Sequence, residues 1–224
     1  MSTLLPALQA SAWGKTLSIE DLSATAAAVA EKRVCAGAYV CRKGEPVDAW
    51  IGVIDGLVKM SSVSPDGKPL TFTGVPSGGW FGEGSLLKYP QARLYDVVAV
   101  RDSHIAFLPR AAFLRLLDSS IGFNRFLLHQ LNERLGQFIA IVENDRLLEP
   151  DARVARALAQ LFNPLLYPGT TSQLQLSQEE IGLLSGVSRQ RANQALQVLE
   201  KAGLLTVEYG GVRVLDVEGL KRFG

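Results

Sequence analysis

Between Val34 and Leu108 the apolar residues fall in short runs broken by Gly37, Gly44, Gly56, Gly67, Gly78, Gly79, Gly82 and Gly84. Ser64-Pro65-Asp66-Gly67, flanked by Leu57-Val58-Lys59-Met60 and Leu70-Thr71-Phe72, predicts a hairpin, because proline presets a turn φ and glycine accepts a positive one. Val97–Val100 and His104–Leu108 are further strands. Many short strands at regular intervals predict a small antiparallel barrel or jelly roll. Ahead of them, Leu4 to Arg33 reads as helical, with an Ala-rich run from Ala24 to Ala30.

After Pro109 the apolar period changes from two to about 3.6. Ala111–Leu117 reads as a short helix, and a long one follows from about Ser120 to Leu148. Leu128, Leu131, Leu135, Phe138 and Val142 recur in it at steps of three and four. That is a two-heptad seam, the pattern of a helix that pairs with its own copy. Phe126, Leu127, Ile139 and Ile141 lie off the seam and are expected to pack inside the subunit. In Glu149-Pro150-Asp151 the proline ends the helix and Asp151 is placed to cap the next one, Asp151–Phe162.

Ser177-Gln178-Glu179-Glu180 has the form of a capping box. Ser185-Gly186-Val187 then makes a tight turn, and Ser188 caps a second helix running to about Lys201. Ala192, Ala195, Leu196 and Leu199 form its inward face. Arg189, Gln190, Asn193 and Gln194 face outward, and such side chains pair with base edges in a major groove. Gly203 ends the helix, and Leu204–Val207 and Val212–Leu215 form a two-stranded wing.

Composition changes this picture little. The chain has 224 residues, 47% hydrophobic and 20% charged, with a formal net charge of +1. Bulk charge therefore does not announce a nucleic acid, but no acidic residue lies between Ile181 and Leu199, a window holding Arg189 and Arg191. No apolar run is long enough to span a membrane, and Met1–Ala10 lacks the form of a signal peptide, so a cytoplasmic location is expected. Cys35 and Cys41 are too few for a disulfide framework, a zinc site or an iron-sulfur cluster. Their even spacing would put both on one strand face, as small apolar residues.

The sequence resembles the cyclic-AMP-receptor/fumarate-nitrate-regulator (CRP/FNR) family from about Lys43 to Leu215. The resemblance rests on Lys43-Gly44-Glu45, Gly52-Val53-Ile54-Asp55-Gly56, Gly78-Gly79-Trp80-Phe81-Gly82-Glu83, then Arg93, the long helix, and Ile181-Gly182…Gly186-Val187-Ser188-Arg189. It implies an α+β chain. Residues 1–118 would hold the N-terminal helices and a cyclic-nucleotide-binding-like β-roll, 119–149 a dimerisation helix, and 150–224 a winged helix-turn-helix. Its DNA contacts would come from Ser188, Arg189, Gln190, Arg191, Asn193 and Gln194. Gln190 stands where the cyclic-AMP receptor has glutamate. An amide prefers adenine where a carboxylate accepts from cytosine, so a different base pair is expected there. The partners would be double-stranded operator DNA, a second copy of the chain and RNA polymerase.

The effector is a separate question. By the same resemblance, Gly82, Glu83, Gly84 and Arg93 stand where a cyclic nucleotide's phosphate and ribose are held. Leu94 replaces a hydroxyl residue beside Arg93, and Phe138 and Ile139 stand where the family supplies hydroxyls to adenine. Those departures speak against cyclic AMP in the familiar pose. They leave open another cyclic nucleotide, a cyclic dinucleotide, a small metabolite, or no ligand, with Glu83 and Arg93 then paired to each other. Haem has only His104 and His129 to bind it. No nucleophile elbow, Walker loop or zinc spacing supports an enzyme. The rival reading, a nucleotide-binding module acting on a protein partner, leaves an exposed Arg-Gln-Asn-Gln face without a use.

Overall fold

The computed structural model describes residues 4–88 and 91–224; Met1–Thr3, Tyr89 and Pro90 lie outside the described residues. In chain order the elements are α1 (Leu4–Ala10), a 3-10 turn (Gly14–Thr16), α2 (Ile19–Ala28), β1 (Ala30–Val34), β2 (Tyr39–Cys41), β3 (Ala49–Asp55), β4 (Leu57–Val63), β5 (Pro69–Pro76), β6 (Trp80–Phe81), α3 (Glu83–Leu87), β7 (Asp96–Ala99) and β8 (Ser103–Pro109). Then come α4 (Arg110–Ser119), α5 (Ile121–Leu147), α6 (Pro150–Gln160), β9 (Gln173–Leu174), α7 (Gln178–Ser185), α8 (Arg189–Lys201), β10 (Leu205–Glu208), β11 (Gly211–Val214) and α9 (Val217–Arg222).

The N-terminal strands form two antiparallel sheets, ordered β1-β8-β3-β6 and β2-β7-β4-β5, which make a β-roll. The predicted hairpin is there: β4 and β5 flank Ser64–Lys68, and Ser64 Oγ accepts from the Lys68 N–H at 3.0 Å. The helical reading of Ala30–Arg33 is corrected. These residues pair antiparallel with β8, Ala30 opposite Phe107 and Arg33 opposite His104. Ladder bonds to an existing sheet outweigh the weak helix preference of an alanine run. The expected common face of Cys35 and Cys41 is corrected too. Strand β1 stops at Val34, so the alternation is lost, leaving Cys35 exposed and Cys41 buried.

An aromatic core joins β3 and β6 to the start of the 3-10 turn, α4 and α5. Trp13, Trp50, Trp80, Phe113 and Phe123 pack with ring centroids 4.6–5.9 Å apart. Such edge-to-face groups gain beyond their buried area. Gly52 has its place here, because a Cβ on it would lie 2.5 Å from the Trp80 ring.

The chain divides into two compact units: Met1–Met60 with Val75–Arg134 and Leu165–Gly169, and Ser61–Gly74 with Leu135–Pro164 and Thr170–Gly224. The division falls inside α5, within the segment read as the dimerisation helix. In the second unit β10, β11 and β9 form a small sheet, with Leu205 opposite Val214 and Val212 opposite Leu174. The expected cap of α6 is corrected. Glu149 is the N-cap, Pro150 the first helical residue, and Asp151 lies inside the first turn. Proline's fixed φ and missing N–H suit that first position. Among the described residues no helix is long and apolar enough to cross a membrane, and no group of three or more His, Cys, Asp or Glu is placed to hold a metal.

Candidate nucleic-acid interface and effector cassette

The helix-turn-helix follows from local chemistry. Ser177 accepts from the Glu180 N–H at 3.2 Å while the Glu180 carboxylate accepts from the Ser177 N–H at 2.8 Å, a complete capping box. Gly186 ends α7 in the left-handed region at φ +64°. Ser188 caps α8, accepting from the Arg191 N–H at 3.2 Å. Ala192, Ala195, Leu196 and Leu199 are fully buried, so the inward face of α8 is as the pattern predicts.

Helix α8 distributes its polar residues over three sides. Gln190, Gln194 and Gln197, at steps of four and three, are all exposed and share the outward face. Gln197 was not singled out in the sequence, although its spacing from Gln194 carries the signal. Arg189 is exposed at the first position and borders a cleft of about 360 Å³ shared with Gln178, Glu179, Glu208 and Gly210. That cleft puts the wing beside the start of α8. Glu208, at the wing, is charge-compensated by Arg213 Nε at 2.6 Å and accepts a hydrogen bond from the Gln173 amide at 3.0 Å. Asn193 is half-buried, and its Oδ1 accepts from the Gln178 amide at 3.0 Å. Arg191 is half-buried, with its guanidinium 2.6 Å from Asp151.

Arg153 of α6 joins two parts of this unit. Its Nη2 lies 2.6 Å from the Asp145 carboxylate near the end of α5, and donates to the Gly186 carbonyl at 2.9 Å. One guanidinium thus ties the last turns of the long helix to the turn of the DNA-binding motif.

Helix α5 carries two distinct faces. Leu128, Leu135, Phe138 and Val142 are exposed, and Leu131 is half-buried. Phe126 and Leu127 are buried as expected, but Ile139 is 59% exposed. The inward placement of Ile139 is therefore corrected. At one step past Phe138 it widens the seam rather than packing inside. Beside the seam, Gln130 and Gln137 are buried and Arg134 largely so, Gln137 with its amide on Thr73 Oγ1 at 3.3 Å.

The cassette residues are assembled in the first unit. Glu83 is almost fully buried at the start of α3. Its carboxylate accepts from Arg134 Nε at 2.9 Å and from the Trp50 indole N–H at 3.2 Å. The Glu83–Arg93 pair considered for an empty pocket is not formed: Glu83 is held by Arg134, to which the sequence pattern gives no role. Arg134 also donates to the Trp80 carbonyl at 2.6 Å, while its Nη1 is buried without a partner among the described residues. Burial alone would lower the Arg134 pKa, but the adjacent Glu83 carboxylate reverses this and the net shift is upward. Arg93 is 6% exposed, and its ion-pair partner is Asp48, 3.7 Å away and itself open to solvent. Arg93 is fixed at its backbone by the Lys43-Gly44-Glu45 turn: its N–H donates to the Glu45 carbonyl at 2.9 Å and its carbonyl accepts from Gly44 at 2.9 Å. Gly82 lies next to it, its Cβ position 3.8 Å from Arg93 Nη1. Gly84 has open space around it, and Leu94 is 61% exposed. Burial pushes the Tyr95 phenol up to about 12, with Glu83 acting in the same direction.

Two family models match the chain: the cyclic nucleotide-binding domain over residues 31–120 and the Crp-like helix-turn-helix domain over residues 152–223. The transcriptional regulator SdrP of Thermus thermophilus is 28% identical over 79% of this chain and 84% of its own. The cAMP-activated global transcriptional regulator CRP of Pasteurella multocida is 27% identical, over 73% and 79% respectively. A solved structure of a CRP/FNR-family transcriptional regulator from Thermus thermophilus superposes with a TM-score of 0.62 at 26% identity, covering 86% of this chain and 96% of that one. Roll, long helix and capped helix-turn-helix thus agree with both family models and with these relatives, and the chain belongs to the CRP/FNR family of DNA-binding transcriptional regulators.

Proposed function

We propose that the chain works as a homodimer that reads a palindromic operator in the major groove. Arg189, Gln190 and Gln194 would contact bases, Gln197 would extend the same face, and Ser188 and Asn193 would fix the start of α8. The observation that carries this reading is the outward face of α8, where three amides and Arg189 stand exposed on a helix whose other side is locked into the core. The exposed apolar stripe of α5 supports pairing through Leu128, Leu131, Leu135, Phe138 and Val142, joined by Ile139. Two-fold pairing would set half-sites about one helical turn (~34 Å) apart. RNA polymerase would be the further partner at a promoter. No catalytic chemistry is assigned to the chain, and a location in the cytoplasm follows from this role.

The β-roll would control binding through an anionic effector of the cyclic-nucleotide class, held by Gly82, Glu83, Gly84 and Arg93. Support comes from charge. Arg93 is buried and Arg134 largely so, while Glu83 is the only buried carboxylate among the described residues, and Arg134 Nη1 has no acceptor there. Buried donors of this kind call for an acceptor. Relatives such as the CRP of Pasteurella multocida are cAMP-activated. By the family resemblance, Phe138 and Ile139 stand where relatives supply hydroxyls to adenine, and since neither carries one, a different base or a cyclic dinucleotide is favoured over cyclic AMP in its usual pose.

Selection of bound duplexes from a random library, followed by calorimetric titration with a panel of cyclic mono- and dinucleotides, tests both parts. The reading expects a palindromic consensus and one ligand that tightens it. Recovery of no consensus, with or without any ligand, contradicts the operator reading. A consensus with cyclic AMP binding in the micromolar range contradicts the effector preference alone.

A further inference from the structure

Arg191 stands third in the recognition helix, yet its guanidinium points away from the outward face to an acid on another helix. We propose that Asp151 sets the DNA affinity of this chain by competing with a DNA phosphate for Arg191. The two charges are 2.6 Å apart, with side-chain exposures of 32% for Arg191 and 28% for Asp151. The contact is short, and about a third of each side chain meets solvent although Asp151 Oδ1 itself is covered. It is therefore an ion pair at the edge of solvent, and such pairs are weak and exchangeable. Asp151 pushes the Arg191 pKa further up, and Glu149 adds to the same field.

Both ends of the pair are anchored where exchange is easiest. The Arg191 backbone is fixed by the Ser188 cap, so only its side chain has to move. Asp151 lies in the first turn of α6, where the helix dipole favours a negative charge even after Arg191 has left. A phosphate offers Arg191 two well-spaced acceptors and releases counterions, which an internal carboxylate does not. While the pair holds, it removes a positive charge from the face that meets DNA and leaves a carboxylate beside it. Breaking it is a cost that each subunit bears on binding. Asp151 thus acts as a positioning residue for Arg191 and lowers affinity for any sequence.

This inference rests on α8 being the DNA-reading helix, which Arg189→Ala tests separately through loss of sequence preference. The experiment uses the full chain and a fluorescein-labelled 30-base-pair duplex of random sequence, followed by anisotropy over a range of salt. Asp151→Asn is expected to bind about fivefold more tightly than the parent at low salt, from an exposed pair broken in each subunit. In an Arg191→Ala background the same change is expected to gain less than half as much. Asp151→Ser, with unchanged melting temperature, repeats the measurement should the asparagine variant fold poorly. Unchanged or weaker binding of both variants overturns the proposal, because the pair would then be a strut that orients α8. An equal gain in both backgrounds also overturns it, because simple removal of a negative charge would then be the whole effect. If Arg189→Ala behaves as expected while these variants do not, the operator reading stands and this inference falls.

Discussion

Glu83 and Arg134 form a buried ion pair, Nε to Oε1 at 2.9 Å, with 2% and 11% of their side chains exposed. A helix residue thereby holds the acid of the nucleotide cassette inside the roll. Removing one partner of such a pair leaves an uncompensated charge in the interior. Arg134→Ala is expected to cost about 3–5 kcal/mol of folding stability by urea denaturation. Glu83→Gln with Arg134→Met should recover most of that loss. Equal melts for Arg134→Ala and the parent would contradict the pairing.

The seam of α5 is apolar and open in a single chain. Leu135, 59% exposed, sits in its middle. A carboxylate there would meet its own copy across the proposed two-fold axis. Leu135→Glu is expected to sediment as a monomer at concentrations where the parent is a dimer, with its circular dichroism unchanged. Persistence of the dimer would place the interface elsewhere.

Gly186 closes α7 at φ +64°, and a Cβ there would lie 2.5 Å from Arg153 Nη2. Both the left-handed backbone and the Arg153 contact oppose a side chain. Gly186→Ala is expected to destabilise the helix-turn-helix unit by at least about 1–2 kcal/mol, the left-handed penalty alone. It should also disturb the link from Asp145 to the turn. Denaturation followed by hydrogen exchange of α7 amides measures both.

Tyr95 gives a pH dependence of definite sign. Burial raises its pKa to about 12 in the folded chain, against about 10 unfolded. The neutral phenol is the form the fold favours. Its contribution is complete below pH 10 and is lost as pH rises through about 12. Cys41 acts in the same direction, since burial raises its thiol to about 11. Tyr95→Phe should therefore unfold less steeply than the parent between pH 10 and 12. The same burial makes Cys41 slow toward a thiol reagent at pH 8, whereas exposed Cys35 reacts at once.

Much of this was legible in the chain, and the reason is locality. Ser177 to Glu180, Gly186 and Ser188 act on neighbours three or four residues away, so their sequence pattern and their structure are the same fact. The α5 seam was legible because helical periodicity survives in any context. What failed depended on partners distant in sequence. Ala30–Arg33 became strand through pairing with β8, some 75 residues on. Arg134 was missed because its acid, Glu83, lies 51 residues earlier. The signal that would have found it is the polar series Gln130, Arg134 and Gln137, at steps of four and three along the flank of the apolar seam. Arg191 looked like a free basic residue because nothing near it in sequence announces Asp151. Ile139 was misplaced because one helical step separates the edge of a seam from its flank.

The central claim is that the exposed side of α8 reads DNA sequence, and the most direct measurement is quantitative footprinting of the selected operator by the parent, Arg189→Ala and Gln194→Ala. Each good base contact is worth about 1–3 kcal/mol of discrimination. The account predicts protection of two half-sites one turn apart by the parent, and a loss of tenfold or more in affinity for each variant, with little change on random duplex for Gln194→Ala. Undiminished protection of the operator by both variants would contradict it.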